Sequence, residues 1–259
     1  MQIRQLFIEQ DSYPHRLAPT TKLIGVLAVL SLAFLFPWHW TPIFLLVGLF
    51  LVAYQARVAK RFADIVFKSA LPYLLMLFAM QSLFYPGGQT EIGQLGWFTI
   101  YAEGVHYATV VSLRILSMIS GLVLVQLITD PAEMMTDLEQ NGLSPKVSYV
   151  IIATLNILPF MLGRANAILD AQRSRGLETE GKITTRAKAL LSLIGPLVVG
   201  TINDVQDRAV ALELRGFSRK GSRTYLQSFG GTAKENLLRR VLWLLAALGV
   251  VGRVITWLF

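Results

Sequence analysis

Two arginines in the same local sequence are the leading candidates for chemistry in this chain. The segments AQRSRGLE and ALELRGFS both read Ala-x-x-x-Arg-Gly. Their residues are Ala171, Arg175 and Gly176 in the first copy, and Ala211, Arg215 and Gly216 in the second. A guanidinium at such a place can cap the last carbonyls of its own helix or pair bidentately with a carboxylate of another protein. The pattern therefore leaves two interpretations open, helix capping alone or docking on a partner.

A nucleotide-binding motif is almost completed between the two copies. Residues 176–183 read GLETEGKI, which matches the P-loop pattern G-x-x-x-x-G-K-[ST] at every position but the last. Ile183 stands where a hydroxyl must bind magnesium, and a helix rather than a β-strand is predicted before the segment. We therefore expect that this chain binds no nucleotide and that another subunit supplies the energy.

Arg114 is a third candidate, because an ionisable side chain inside an apolar segment is costly and usually faces the bundle interior or a partner. Its role is either structural, through pairing with a carbonyl or carboxylate, or a contact that positions other helices. No catalytic or metal site is predicted. The chain has no cysteine, and its three histidines are far apart.

The composition indicates a membrane protein. Of 259 residues, 54% are hydrophobic and 15% are charged, against about 25% charged in soluble domains. The formal net charge of +8 comes from basic residues that lie between apolar runs, as orientation signals do. Nucleic-acid binding is therefore not expected.

Five apolar runs predict transmembrane spans, at residues 23–36, 43–54, 71–84, 107–128 and 241–259. Several are shorter than the ~20 residues that a span needs, so flanking residues must extend them. The turn PWHWTP and the connection at residues 85–106 have no Lys or Arg, whereas residues 130–240 contain fifteen. Because cytoplasmic loops are rich in basic residues, the N-terminus and the segment 130–240 are predicted to be cytoplasmic.

Two further apolar runs, at residues 147–162 and 189–202, lie inside this basic segment. Each is short and contains a proline, Pro159 or Pro196, that breaks or bends a helix. If both crossed the membrane, six basic residues would be carried outside. The sequence therefore predicts two long, bent helices at the membrane surface. Ser144 and Gly176 mark the ends of the first, and Asp130 and Gly142 mark a shorter helix before it.

The resulting fold class is an all-α polytopic membrane protein with about five transmembrane helices and long bent cytoplasmic coupling helices. The predicted domains are a four-span membrane domain at residues 1–129, a cytoplasmic coupling domain at residues 130–235, and a last span at residues 236–259.

The sequence resembles the transmembrane T component (EcfT) of energy-coupling factor (ECF) transporters along most of its length. Besides the two Ala-x-x-x-Arg-Gly segments, the segments DSYPHRLAPTTKLI, AEGVHYATVVSLRIL, DPAEMMTDLEQNGLSP and RAKALLSLIGPLV are similar to that family. Thr20 departs from the resemblance, since a basic residue is usual at that position.

The resemblance implies a non-catalytic scaffold in a prokaryotic cell (inner) membrane. It implies that two ATP-binding-cassette ATPases dock on the chain, the first copy on one and the second copy on the other. It also implies a small substrate-binding membrane protein, the S component, as a partner, and vitamins or transition-metal ions as substrates. No cofactor is expected on this chain, because ATP and magnesium would be held by the ATPases.

Two other classes of protein remain alternatives. A conventional ABC permease would carry its own substrate path and would be expected to have one coupling helix per chain. An intramembrane enzyme would need clustered carboxylates or histidines within the spans. The predicted spans between residues 23 and 128 contain no Asp or Glu outside the connecting segments, which disfavours the enzyme.

Overall fold

Helices form most of the protein in a computed structural model that describes residues 7–8, 10–36, 40–84, 90–95, 98–178, 181–219, 221, 223–226, 229 and 233–258. The helices are α1 (Tyr13–Arg16), α2 (Pro19–Leu35), α3 (Thr41–Gln55), α4 (Ala59–Leu83), α5 (Ala102–Ile128), α6 (Pro131–Gln140), α7 (Pro145–Ser174), α8 (Ile183–Leu214) and α9 (Ala233–Leu258). An antiparallel hairpin of β1 (Glu91–Leu95) and β2 (Phe98–Tyr101) lies between α4 and α5. The all-α polytopic fold class is confirmed, and the hairpin is an addition that the sequence analysis missed.

Four of the described helices are long and apolar enough to cross a membrane. The segments are Ala59–Ser82 in α4, Ala102–Ile128 in α5, Pro145–Ser174 in α7 and Ala189–Leu214 in α8. The shorter apolar helices α2 and α3 cover the first two predicted spans, and α9 covers the last. Flanking residues extend the helices as expected, since α4 begins at Ala59 rather than at residue 71. Of the predicted outer turn PWHWTP, residues 37–39 lie outside the described residues.

The two predicted surface helices are both present as long helices. α7 has 30 residues and runs through Pro159, and α8 has 32 residues and runs through Pro196. α7 begins after Ser144 and ends before Gly176 as predicted, and polar residues continue each helix beyond its apolar run. A proline removes one backbone hydrogen bond, and the neighbouring turns keep each helix continuous. Their predicted surface location therefore rests on charge and not on length.

Contacts divide the chain into two compact units. One contains α7 and α8, and the other contains α1 to α6, the hairpin and α9. α6 thus packs with the spans, although it lies beyond residue 130 in the sequence. The predicted division into a membrane domain at residues 1–129, a coupling domain at residues 130–235 and a last span at residues 236–259 stays a prediction.

Small residues allow close helix packing in the larger unit. Ser31 of α2 donates a 2.6 Å hydrogen bond to the carbonyl oxygen of Ala246 in α9. Gly249 lies so close to α2 that an added Cβ would be 2.9 Å from the carbonyl carbon and oxygen of Ser31. A second buried cluster joins α3, α4 and α5 and includes Phe62 and Leu127.

Two carboxylates from other helices bind the start of α2. The amide of Ala18 and the hydroxyl of Thr21 donate to Glu235 of α9, at 2.8 and 2.7 Å. The amide of Thr20 donates to Asp137 of α6 at 2.6 Å. The first amides of a helix lack partners within the helix and carry positive partial charge, so these carboxylates stabilise α2 and hold it to α6 and α9.

Candidate functional site

The two Ala-x-x-x-Arg-Gly segments end α7 and α8 with the same backbone geometry. Arg175 and Arg215 are the C-terminal caps, with φ and ψ of −88° and 9° in the first and −82° and 2° in the second. Gly176 and Gly216 follow with φ of 89° and 73°. This left-handed conformation is disfavoured for residues with a Cβ, which explains why glycine follows each arginine.

The backbone hydrogen bonds at the two ends also match. In α7 the amide of Gly176 donates to the carbonyl of Arg173 at 2.9 Å, and the amide of Leu177 donates to Gln172 at 3.0 Å. In α8 the corresponding bonds, from residues 216 and 217 to residues 213 and 212, measure 2.9 and 3.0 Å. Both ends are Schellman motifs, in which the backbone itself satisfies the last carbonyls.

The arginine side chains are therefore not needed as caps. Arg175 and Arg215 are exposed, as are Ala171 and Ala211 one turn earlier. Within the part of the chain that the structure describes, neither guanidinium has a hydrogen bond or an ion pair. Arg173 differs, because it forms a 3.1 Å ion pair with Asp170. Helix capping thus explains the glycines but leaves both arginines available to a partner.

α7 and α8 run antiparallel. The ring of Tyr149 near the start of α7 is 5.2 Å from the ring of Phe217 just past the end of α8. Further along α7, the sulfur of Met161 accepts a 3.4 Å hydrogen bond from Thr201. Residues further along α7 thus contact residues earlier in α8. The two arginines, each at the C-terminal end of its helix, therefore lie at opposite ends of the helix pair.

An ion pair between Arg164 of α7 and Asp204 of α8 links the two helices. The pair is bidentate, with the second hydrogen bond at 3.3 Å, and both side chains are less than one third exposed. The guanidinium also lies 5.2 Å from the ring centre of Phe160. Gly200 leaves room for it, since a Cβ there would be 3.1 Å from Nη1 of Arg164. Partial burial and bidentate geometry make this a stronger link than a surface pair.

The Arg164–Asp204 ion pair lies at the same distance along each helix from that helix's terminal arginine. Arg175 lies eleven residues after Arg164, and Arg215 lies eleven residues after Asp204. At 1.5 Å per residue, each arginine is about 16 Å beyond the ion pair on its own helix. Sequence reasoning missed the pair, although its offset of forty residues equals the offset between the two repeated segments and could have drawn attention to it.

The remaining candidates have different surroundings. The P-loop-like segment follows α7 and leads into α8, so it lies between two helices; its residues 179 and 180 are outside the described part. Arg114 lies in α5, and its buried Nε has no hydrogen-bond partner among the described residues. Whether Arg114 is structural or contributes to coupling stays a prediction. Across the described ranges no three His, Asp or Glu side chains form a group that could hold a metal ion.

These observations define a class, a multi-pass helical membrane protein with two exposed arginines at matching helix ends. Comparison with known proteins gives the family. The profile of the family described as Cobalt transport protein (CbiQ) matches residues 10–226. Among curated proteins, the energy-coupling factor transporter transmembrane protein EcfT of Exiguobacterium sibiricum is 31% identical over 257 residues, covering 94% of this chain and 95% of the relative. EcfT of Bacillus subtilis is 28% identical over 253 residues, covering 93% and 94%.

The chain therefore belongs to the EcfT family of transmembrane components of ECF transporters. The predicted family is confirmed, and with it the assignment to a transporter membrane subunit. A conventional permease and an intramembrane enzyme, the two alternatives from sequence, are not supported by these relatives.

Proposed function

We propose that this chain couples two cytoplasmic ATPases to a substrate-binding S component during uptake of a vitamin or a transition-metal ion. It would lie in the prokaryotic cell (inner) membrane, with its N-terminus and its coupling helices in the cytoplasm. ATP and magnesium would be held by the ATPases, and this chain would carry neither. The observation that carries the proposal is the pair of matching helix ends whose arginines are exposed and unpaired within the described residues.

The separation of the arginines favours two ATPases rather than one. Each lies about 16 Å from the Arg164–Asp204 pair, and the two helices run in opposite directions from that point. The two arginines are thus on the order of 30 Å apart. One groove on one protein could not hold both, so we infer one ATPase for Arg175 and another for Arg215.

The chemistry of docking follows from the side chains. A guanidinium can form two parallel hydrogen bonds with a carboxylate in a groove, and the small Ala171 and Ala211 allow the groove walls to approach the helix. Because the helix carbonyls are already satisfied by the Schellman motifs, all donors of Arg175 and Arg215 can serve the partner.

Transmission of motion would use the link between the helices. When the ATPases close on ATP, they would move the two arginine ends. The Arg164–Asp204 pair would make α7 and α8 respond as one body and carry the movement to the S component. The substrate class is inferred from the family description, which refers to cobalt transport.

The test is co-purification of tagged chain with its candidate ATPases, together with ATP-dependent uptake. Arg175→Glu and Arg215→Glu should each weaken ATPase association, and the double variant should abolish it. Removing one partner of a buried charge pair at an interface commonly costs about 2–5 kcal/mol, which is roughly a 30-fold to several-thousandfold loss of affinity.

Arg173→Glu is the matched control. It makes the same charge change two residues before Arg175, at a side chain that already pairs with Asp170. ATPase association should stay near the wild-type level. Equal weakening by Arg173→Glu would mean that general electrostatics and not the docking residue is responsible. Unchanged association in both Arg175→Glu and Arg215→Glu would show that the docking proposal is wrong.

A further inference from the structure

A basic pocket lies where α3 turns into α4, away from the coupling helices in the sequence. Its volume is about 620 Å³, and its polar lining consists of Tyr54, Gln55, Arg57, Lys60 and Arg61. None of its described lining residues is acidic. The pocket borders the start of the segment Ala59–Ser82, which is long and apolar enough to cross a membrane. We therefore place it at the level of the lipid headgroups.

Among the described residues, the three cations of the basic pocket have no paired counter-charge. In the described ranges Arg57, Lys60 and Arg61 form neither a hydrogen bond through their side chains nor an ion pair. By contrast, Lys68 lies two turns further along α4 and pairs with Asp64 at 2.7 Å. The pocket therefore concentrates unneutralised positive charge that a bound anion would compensate.

Arg57 occupies a backbone conformation that favours glycine. Its φ is 58°, in the left-handed region, where a Cβ is disfavoured. The turn is held by hydrogen bonds from Ala56 to Val52 at 2.9 Å and from Val58 to Ala53 at 3.1 Å, and these alanines and Val58 are buried. The chain thus keeps a cation at a strained position of a firmly anchored turn.

An apolar groove of about 630 Å³ lies between the same two helices and is also lined by α5. It is lined on α3 by Val47 and Leu51, and on α4 by Ala63 and Phe67, among other apolar residues. Residues three or four apart lie on the same face of a helix. Lys60, Ala63 and Phe67 therefore share one face of α4. Tyr54, Leu51 and Val47 share one face of α3. Pocket and groove therefore share one face of each helix.

We propose that this surface binds one anionic glycerophospholipid. Its phosphate lies in the basic pocket against Arg57, Lys60 and Arg61, and an acyl chain lies in the apolar groove. Clustered basic side chains at the end of a span attract acidic lipid headgroups, and guanidinium groups hydrogen-bond phosphate oxygens well. The site shares no residue with the two ATPase-docking segments, so its test does not depend on the function proposed above.

The test is titration of the purified full-length chain with phosphatidylglycerol in a neutral detergent, with bound lipid counted by native mass spectrometry. Phosphatidylcholine should bind much more weakly. Each basic residue near an anionic lipid contributes about fivefold to affinity, so the triple variant Arg57→Gln, Lys60→Gln, Arg61→Gln should bind phosphatidylglycerol about a hundredfold more weakly. Lys68→Gln is the matched control, because it removes one charge from the same helix at a neutralised position, and it should bind as wild type does.

Two single variants separate loss of binding from loss of fold. Arg57→Gly removes the cation and also relieves the left-handed backbone, so it should bind lipid about fivefold more weakly without a lower unfolding temperature. Ala63→Phe keeps all three cations but fills the groove, and it should also weaken phosphatidylglycerol binding.

Inorganic phosphate distinguishes a lipid from a free anion. It should fail to displace phosphatidylglycerol at equal concentration, because it has no acyl chain for the groove. Complete displacement by phosphate would overturn the lipid assignment in favour of a free-anion site. Unchanged binding in the triple variant, equal loss in Lys68→Gln, or equal binding of phosphatidylcholine would each overturn the proposal.

Discussion

Replacing Gly249 with alanine tests the close contact between α2 and α9. An added Cβ would lie 2.6 Å from the hydroxyl oxygen of Ser31 and 2.9 Å from its carbonyl carbon and oxygen. The hydroxyl can rotate away, but the carbonyl belongs to the backbone of α2 and can move only with the helix. Because carbon atoms prefer separations of about 3.5 Å or more, the helices must separate by about half an ångström.

The free energy of unfolding should fall. Overpacking a well-packed interface costs roughly 1–3 kcal/mol. Replacing glycine by alanine within a helix contributes about 0.5–1 kcal/mol in the opposite direction. The difference leaves a net destabilisation of about 0–2.5 kcal/mol, centred on roughly 1 kcal/mol. The displacement would also lengthen the 2.6 Å hydrogen bond from Ser31 to Ala246.

The assay is unfolding of the purified chain in mixed micelles with increasing dodecyl sulfate, followed by the helical circular dichroism signal. Gly48→Ala is the control, since no described atom lies within 4 Å of a Cβ at that position in α3. It should raise stability or leave it unchanged. The double variant Ser31→Ala, Gly249→Ala should stay destabilised, because the backbone contact remains. A Gly249→Ala variant as stable as Gly48→Ala, or full recovery in the double variant, would refute the reasoning.

Three further predictions concern polar contacts. Arg164→Gln or Asp204→Asn should reduce ATP-dependent uptake at least about tenfold, because removing one partner of a partly buried pair uncouples α7 from α8. ATPase co-purification should be retained. The reciprocal swap, with Asp at 164 and Arg at 204, should recover uptake. Asp137→Ala should lower the free energy of unfolding by about 1–3 kcal/mol, since the amide of Thr20 loses its acceptor; a stability equal to wild type would contradict this. Burial lowers the pKa of His15, so the folded chain favours the neutral imidazole. The unfolding temperature should therefore be highest above about pH 6.5 and should fall as the pH drops below that value, when measured between pH 7.5 and 5.5. This dependence on pH should be weaker in His15→Asn.

Local features of the fold could be predicted from sequence because their causes lie within a few residues. Asp130 caps α6 through a 2.7 Å hydrogen bond from the amide of Ala132, as its position before a proline indicated. Gly176 and Gly216 end their helices in the left-handed conformation for the same local reason. The two candidate docking arginines were found by the same local repeat.

Other local features were missed because the pattern alone was ambiguous. The hairpin between α4 and α5 has strands of only five and four residues, and its antiparallel pairing joins residues such as Gly93 and Ile100 that give no clear alternation.

The sequence by itself determined that this is a membrane protein of the EcfT type, where most helices lie, and which arginines end α7 and α8. These properties depend on composition and on neighbours in the chain. Only the tertiary structure decided that Arg164 pairs with Asp204, that Gly249 contacts Ser31 across 218 positions, and that the cations beside α4 share a pocket. Each of these depends on which helix faces meet, and a face acquires its partner only when distant segments pack together.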